Sequence, residues 1–337
     1  MKACIIEEPG RVIVGQVPDP RPAAGEVIVS VAACGVCGTD VHIYNGEMDY
    51  VKYPLIPGHE IVGTIDEVGE GVADLKPGMR VTLDPNIPCM KCHFCRRLKF
   101  NHCIHWQGIG VSRNGGFAEK VAVPAKVVYD IGDMPFGTAA YVEPLSCVVY
   151  GLQRATPDLA DRVLIFGSGP IGLLLLQTIR RAGAAQVVVT DLQPDRLNLA
   201  EELGAELTIL ADENQDDALR ANAPLGYEMV VDATGVPTVA AKCFDYVTNG
   251  GKILLFGVCP DDATFEFSPY DLFHRDLSVY GSFAVNMTFA PAIELLNNGA
   301  VAVEPLTSHR FSLDEVPRAF EIAKGHTEPA MKMLVQP

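Results

Sequence analysis

The chain has 337 residues, 48% hydrophobic and 20% charged, with a formal net charge of −16. It is long enough for two globular domains, and so acidic a chain lacks the concentrated basic charge with which proteins displace counterions from nucleic acid. Its longest apolar run, "IGLLLLQTI", is too short to span a bilayer. We therefore expect neither a nucleic-acid nor a membrane partner. The opening "MKACIIEEPGRVIV" alternates and carries early acids, unlike a signal peptide. A cytoplasmic location is expected, and there ten cysteines point to metal ligands more than to disulfides.

Over 1–145, short alternating runs such as "EVIVSVAA", "GTIDEVGEGV" and "RVTLDP" lie between glycine and proline turn signals, which predicts an all-β domain. Within it, "CMKCHFCRRLKFNHC" carries Cys89, Cys92, Cys95 and Cys103, followed or interleaved by Arg96, Arg97 and Lys99. Taken alone, that spacing suits a metal site, a nucleic-acid finger or a redox pair.

From about 146 the pattern changes. Strand-like "RVLIFG", "QVVVTD", "MVVDAT", "GKILLFG" and "LSVYGS" alternate with helical "IGLLLLQTIRRAG", "PDRLNLAEELGA" and "TVAAKCFDYVTNG". This predicts a doubly wound parallel sheet over 146–282, and the whole chain as an α/β protein. The remaining 283–337 reads as helix, strand, helix and a final strand.

"RVLIFGSGPIG" places Gly167, Gly169 and Gly172 between a strand and a helix, with Pro170 and Ile171 completing the loop. Gly167 permits the turn, Gly169 lets a pyrophosphate approach the backbone, and Gly172 lets helix and strand pack closely. Asp191 ends the next strand, where a carboxylate takes the ribose hydroxyls and repels a 2′-phosphate; NAD is therefore the expected cofactor. Arg196 lies either near the adenosine or on the surface. Thr234, Gly257 and Val258, in "DATG" and "FGV", either line the nicotinamide side or form ordinary turns.

"CGVCGTDVHIY" and "PGHEIVGTIDEVGEGV", taken with the nucleotide motif, resemble the zinc-dependent medium-chain dehydrogenases, closest to their sorbitol/polyol and threonine dehydrogenase branch. Gly58, His59, Glu60, Gly63, Gly69 and Val72 carry the "GHE" element in full, and Glu143–Ser146 carries an "EPLS" element. The resemblance spans essentially the whole chain. It implies a GroES-like β-barrel catalytic domain (1–145), a Rossmann cofactor domain (146–282) and a C-terminal segment (283–337) that returns to the first domain.

It also implies two zinc ions. Cys37, His59 and a carboxylate would hold a catalytic zinc with one open position. Glu60 and Glu143 are both candidates for that carboxylate, and the sequence does not choose between them. Asp40 would orient the His59 ring, and Thr39 and His42 would relay the alcohol proton. Cys34 reads as a core thiol. The four cysteines at 89–103 match the family's structural-zinc lobe, about residues 86–106, where a closed sphere of thiolates leaves no place for substrate. The other histidines, His326 among them, have no such context.

The expected reaction is oxidation of a secondary alcohol, a polyol or diol, with Tyr44, Phe117 and Asn286 facing the substrate. L-Threonine or a simple secondary alcohol is the alternative, and a non-enzymatic binding protein a third reading. Sorbitol-type enzymes carry an arginine–tyrosine pair where this chain has Ala284 and Val285, so long hexitols such as sorbitol are disfavoured and a shorter or differently oriented polyol, such as a pentitol, is expected. A homodimer or homotetramer is expected, paired through the edges of the cofactor-domain sheets.

Overall fold

The computed structural model describes residues 1–325 and 328–337, so His326 lies outside the described residues. The chain divides into two compact units. One comprises Met1–Ser146, Val285–Asn297 and Val303–Pro337; the other comprises Cys147–Ala284 and Asn298–Ala302.

In the first unit a seven-stranded sheet runs Thr307–Phe311, Lys332–Val335, Glu26–Gly35, Glu60–Val68, Arg80–Leu83 and Val128–Asp130, with Lys120–Pro124 also paired to Glu26–Gly35. Glu26–Gly35 thus has three strand partners, and most of its residues are buried. The alternating valines and isoleucines of these strands turn one face inward. Val27, Val29, Ile61, Ile65, Val81 and Leu83 form a core with Ile6 and Phe117. The C-terminal strand closes this sheet: Leu334 lies opposite Gly35, which itself lies opposite Glu60.

The cysteine lobe is built differently. It has two short helical turns, Cys95–Arg97 and Phe100–His102, and its buried cluster is Cys92, Cys95 and Cys103 with Cys89, Phe94, Phe100 and Trp106 packed around them. So small an apolar cluster stabilises little by itself.

The second unit is a six-stranded parallel sheet in the order Leu207–Leu210, Gln186–Asp191, Arg162–Phe166, Tyr227–Asp232, Val247–Leu255 and Ser278–Gly281. Chain order therefore reverses between Arg162–Phe166 and Tyr227–Asp232, the switch point at which doubly wound sheets take ligands. Helix Pro170–Arg181 buries Leu173, Leu174, Leu175 and Leu176. "CGTD" enters helix Gly38–Asn45, whose first turn is stabilised by Asp40 accepting from the Cys37 N–H. The helix of "TVAAKCFDYVTNG" stops at Tyr246, because Val247 already pairs with Tyr227 as a strand. Helix Val142–Arg154, read in the sequence only as the "EPLS" element, runs on through thirteen residues. Among the described residues no helix is long and apolar enough to cross a membrane.

Candidate active site

The first unit brings Cys37, His59 and Glu60 together. One donor atom from each lies within 4.8 Å of the others. Cys37 caps the N-terminus of Gly38–Asn45, and His59 directly precedes the strand that Glu60 begins. His59 and Glu60 are buried, Cys37 partly so.

Asp40, fully buried, ties these segments into one frame. Its Oδ2 accepts from the Cys37 N–H at 2.9 Å and its Oδ1 from the Gly58 N–H at 3.1 Å. Oδ1 also faces His59 Nδ1 at 3.6 Å. A carboxylate so placed fits the role of orienting a metal-binding histidine.

The electrostatics favour a cation. Burial by itself would lower the His59 pKa, but the Asp40 carboxylate and the Cys37 sulfur outweigh it and hold the imidazole well above its ordinary range. Burial pushes the Glu143 carboxyl up to about 7, against the pull of His59 and with the help of Glu60. His59 Nδ1 is buried with no hydrogen-bond partner nearer than Asp40 Oδ1 at 3.6 Å. A sulfur, an imidazole and a carboxylate gathered within reach of one ion fit zinc. Glu143 is buried in the first turn of Val142–Arg154 and interacts electrostatically with His59 and Glu60, but the close donor set is Cys37, His59 and Glu60.

Thr39 Oγ1 lies 3.8 Å from Cys37 Sγ, so its hydroxyl is at the site's edge. His42 is exposed and its Nδ1 pairs with the Glu47 carboxylate.

The second donor set is Cys89, Cys92, Cys95 and Cys103, whose sulfurs also lie within 4.8 Å of one another. Cys92 Sγ is 3.5 Å from Cys95 Sγ and 4.0 Å from Cys103 Sγ. Tetrahedral zinc with bonds of about 2.3 Å separates its sulfurs by about 3.8 Å. The backbone N–H of Cys95, and to a lesser degree that of Ile104, lowers the Cys92 thiol pKa, which favours a ligating thiolate.

Three residues expected to face substrate have other work. Tyr44 donates its hydroxyl to the Gly10 carbonyl at 2.9 Å and stacks on Phe320, so it is anchored in the core. Phe117 is fully buried, edge-on to the same Phe320. Asn286 joins the cysteine lobe: its Nδ2 donates to the Leu98 carbonyl and its Oδ1 accepts from the Phe100 N–H. Val285 is buried as well. A polar tip or an aromatic ring reads alike in sequence whether it faces substrate or satisfies a neighbouring backbone group.

One residue escaped the sequence reading. Lys332 is buried at the start of the C-terminal strand and its Nζ meets the Glu60 carboxylate. Its only local sign was a lysine opening the otherwise apolar "KMLV".

In the second unit, Gly167 has φ +98° and Gly169 has open space where a side chain would stand. A Cβ on Gly172 would overlap the Gly167 carbonyl, and one on Gly257 would overlap the Gly235 backbone. Each glycine thus holds a close backbone approach or leaves room for a ligand. Pro170 and Ile171 begin the helix, and Arg196 lies in the first turn of Pro194–Glu202. Asp191 ends its strand half-buried, with Oδ2 accepting from the Ser168 N–H at 2.7 Å and Oδ1 from the Gln193 N–H at 2.9 Å. Its carboxylate is thereby fixed beside the glycine loop. Thr234 donates its hydroxyl to Asp232 Oδ1 at 2.6 Å, and Val258 is exposed.

Residues 23–133 match the alcohol dehydrogenase GroES-like domain and residues 170–298 the zinc-binding dehydrogenase family. The chain is 36% identical to D-altritol 5-dehydrogenase of Agrobacterium fabrum, covering 98% of this chain and 97% of that protein. It is 34% identical to D-arabinitol dehydrogenase 1 of Uromyces fabae, covering 100% and 97%. Among solved structures, it superposes with a TM-score of 0.95 on a Sinorhizobium meliloti 1021 protein described as a zinc-binding dehydrogenase bound to NADP (35% identity, 100% and 99% coverage). A second, described as a short chain alcohol dehydrogenase of Escherichia coli CFT073 complexed with NADH, gives a TM-score of 0.93 (31% identity, 100% and 99% coverage).

Proposed function

The chain belongs to the zinc-dependent medium-chain dehydrogenases, in their polyol branch, and from that premise we propose that it oxidises a secondary hydroxyl of a polyol to the ketone, with NAD as hydride acceptor. The observation that carries this reading is the convergence of Cys37, His59 and Glu60 within 4.8 Å. These residues hold the catalytic zinc, with Glu143 as the neighbouring carboxylate, and the four cysteines of the lobe hold a structural one. The catalytic zinc supplies Lewis acidity that lowers the pKa of the substrate hydroxyl.

This chain's own groups do the rest. Asp40 keeps the His59 ring and the Cys37 backbone in register. Thr39 Oγ1 accepts the hydroxyl proton and passes it towards His42, whose exposed ring hands it to solvent. NAD, held by the glycine loop and Asp191, would supply the hydride acceptor, so that the alcohol becomes a ketone and one proton is released. Gly167–Gly172 cradles the pyrophosphate at a helix N-terminus. Asp191 takes the ribose hydroxyls and sets the preference for NAD over NADP. Arg196 flanks the adenosine, and Thr234, Gly257 and Val258 flank the nicotinamide side.

The named activities of the altritol and arabinitol relatives support a polyol of five or six carbons. We also propose a homo-oligomer, a dimer or tetramer. In its support, Ser278–Gly281 ends the sheet with Val279 exposed, and Tyr270 and Phe273 are exposed on Pro269–His274. Thiolate zinc sites need reduced cysteines, which supports a cytoplasmic location.

The test is a comparison of initial rates on C3–C6 polyols, vicinal diols, 2-propanol and threonine with each cofactor. A polyol with NAD is expected to give the highest kcat/KM. A tenfold advantage, about 1.4 kcal/mol, for threonine or a plain monoalcohol would reject the substrate class.

A further inference from the structure

Every backbone donor and acceptor of residues 56–58, which lead into His59, is taken. Ile56 donates its N–H to Asn114 Oδ1 at 3.1 Å and its carbonyl accepts from the Gly115 N–H at 2.7 Å. The Pro57 carbonyl accepts from the Phe117 N–H at 3.0 Å, and the Gly58 carbonyl from the Gly116 N–H at 2.8 Å. The Gly58 N–H goes to Asp40. Segment 114–117 and Asp40 between them thus set where His59 leaves the chain. The approach is close enough to demand glycine. A Cβ on Gly115 would lie 2.1 Å from the Gly58 carbonyl oxygen, and one on Gly110, whose φ is +77°, 2.4 Å from it.

The same stretch of chain is the way out of the cysteine lobe. Asn86 and Ile87, entering the lobe, pair with Gly108 and Gln107, leaving it. The Ile109 N–H donates to the Pro85 carbonyl at 2.9 Å, and Trp106 Nε1 to Asn86 Oδ1 at 2.8 Å. Trp106 packs on both the cysteine cluster and the main core of the unit. One short run of backbone is therefore tied to the lobe at one end and to the approach of His59 at the other.

We propose that segment 107–117 couples the two metal sites, with Gly110, Asn114 and Gly115 as positioning residues for His59, so that metal in the cysteine lobe tightens the hold of Cys37, His59 and Glu60 on theirs. This rests on the zinc reading given above. With so small a core, the lobe has two states, ordered around its metal and loosened without it. Loosening releases the pairing of Asn86 and Ile87, and segment 114–117 loses its fixed end. His59 then drifts against Cys37 and Asp40, and a zinc–nitrogen bond of about 2 Å tolerates little drift.

The experiment measures, on the full-length zinc protein well below its Tm, how readily a chelator strips each site, together with the spectrum of cobalt placed in the catalytic site. Gly115→Ala is expected to weaken the hold on the catalytic-site metal by about ten- to a hundredfold, the usual effect of disturbing a group that orients a ligand, and to leave the lobe loaded. The cobalt bands should shift and kcat should fall, with KM for the alcohol changed less than about threefold. Cys92→Ser, which empties the lobe, should weaken the catalytic-site metal as well. Gly115→Ala added to it should cost little more, because both changes break one coupling. Fully multiplicative losses in the double variant, or wild-type retention of the catalytic-site metal in Cys92→Ser, would overturn the proposal whatever happens to the Tm. If Gly115→Ala does not fold, Asn114→Ala takes its place. Its loss of about three- to tenfold, the worth of one hydrogen bond, should return to wild type in Asn114→Asp, which still accepts from the Ile56 N–H. No loss in Asn114→Ala would leave the segment a plain structural brace and overturn the proposal. A wild-type protein that holds metal in the lobe alone would instead reject the zinc-enzyme reading itself.

Discussion

Asn286 donates its side-chain amide to the carbonyl of Leu98 at 2.9 Å, across 188 positions of sequence. With the Phe100 N–H bonded to the same side chain at 3.1 Å, one asparagine braces a lobe that has almost no apolar core of its own. Asn286→Ala should therefore cost about 1–2 kcal/mol of stability, read as a lowered Tm, and leave KM for the alcohol unchanged. A raised KM at unchanged Tm would return Asn286 to the substrate site.

Two donor sets that share no residue imply two zinc ions per chain by elemental analysis. Cys37→Ser should lose one of them together with turnover, and keep a near-native Tm. Cys92→Ser should lose the other and lower the Tm, because the lobe depends on its metal for stability. A Cys92→Ser protein with one zinc fewer and an unchanged Tm would refute the lobe's structural role.

Asp191 is held by the Ser168 and Gln193 N–H groups, so its carboxylate stays in place with or without a cofactor. Asp191→Ala is expected to weaken NAD binding by about 1.5–3 kcal/mol, the worth of a hydrogen bond to a charged group. NADP binding should weaken far less or improve. Equal kcat/KM for the two cofactors in the wild type would show that Asp191 does not discriminate.

His42 pairs with Glu47 in the open, where it can exchange protons with water. His42→Ala should slow oxidation most at neutral and lower pH, because hydroxide replaces the relay at high pH. An unchanged pH–rate profile would exclude His42 from proton transfer.

Burial pushes the Asp84 carboxyl up to about 6 from 3.8, although the N–H and Nδ2 of Asn86 both donate to it. The folded state therefore binds this proton more tightly than the unfolded chain does. The stability it contributes is fully present below pH 3.8 and is lost as the pH rises through about 6. Asp84→Asn should remove that loss, so its advantage over wild type in urea unfolding should be larger at pH 7.5 than at pH 5. An equal advantage at both would show that Asp84 does not titrate in this window.

The cofactor loop and both metal sets were legible in the sequence because their chemistry is short-range. A turn that needs Gly167, a close approach that needs Gly172 and sulfurs spaced to share one ion are all set within a few residues. Cys37 and His59 lie 22 positions apart, yet each sits in its own local motif, so family resemblance sufficed to join them. Choosing Glu60 over Glu143 for the close donor set, placing Lys332 behind Glu60, and giving Tyr44, Phe117 and Asn286 partners within the protein were decided only by the tertiary structure. Each depends on which distant strand or loop packs against a single side chain. Lys332 reaches Glu60 because Gly35 pairs with strands on both sides, and Asn286 meets Leu98 because the C-terminal segment returns to the first unit. No periodicity along the chain records such a meeting, since the partners are brought together by the burial of the whole sheet.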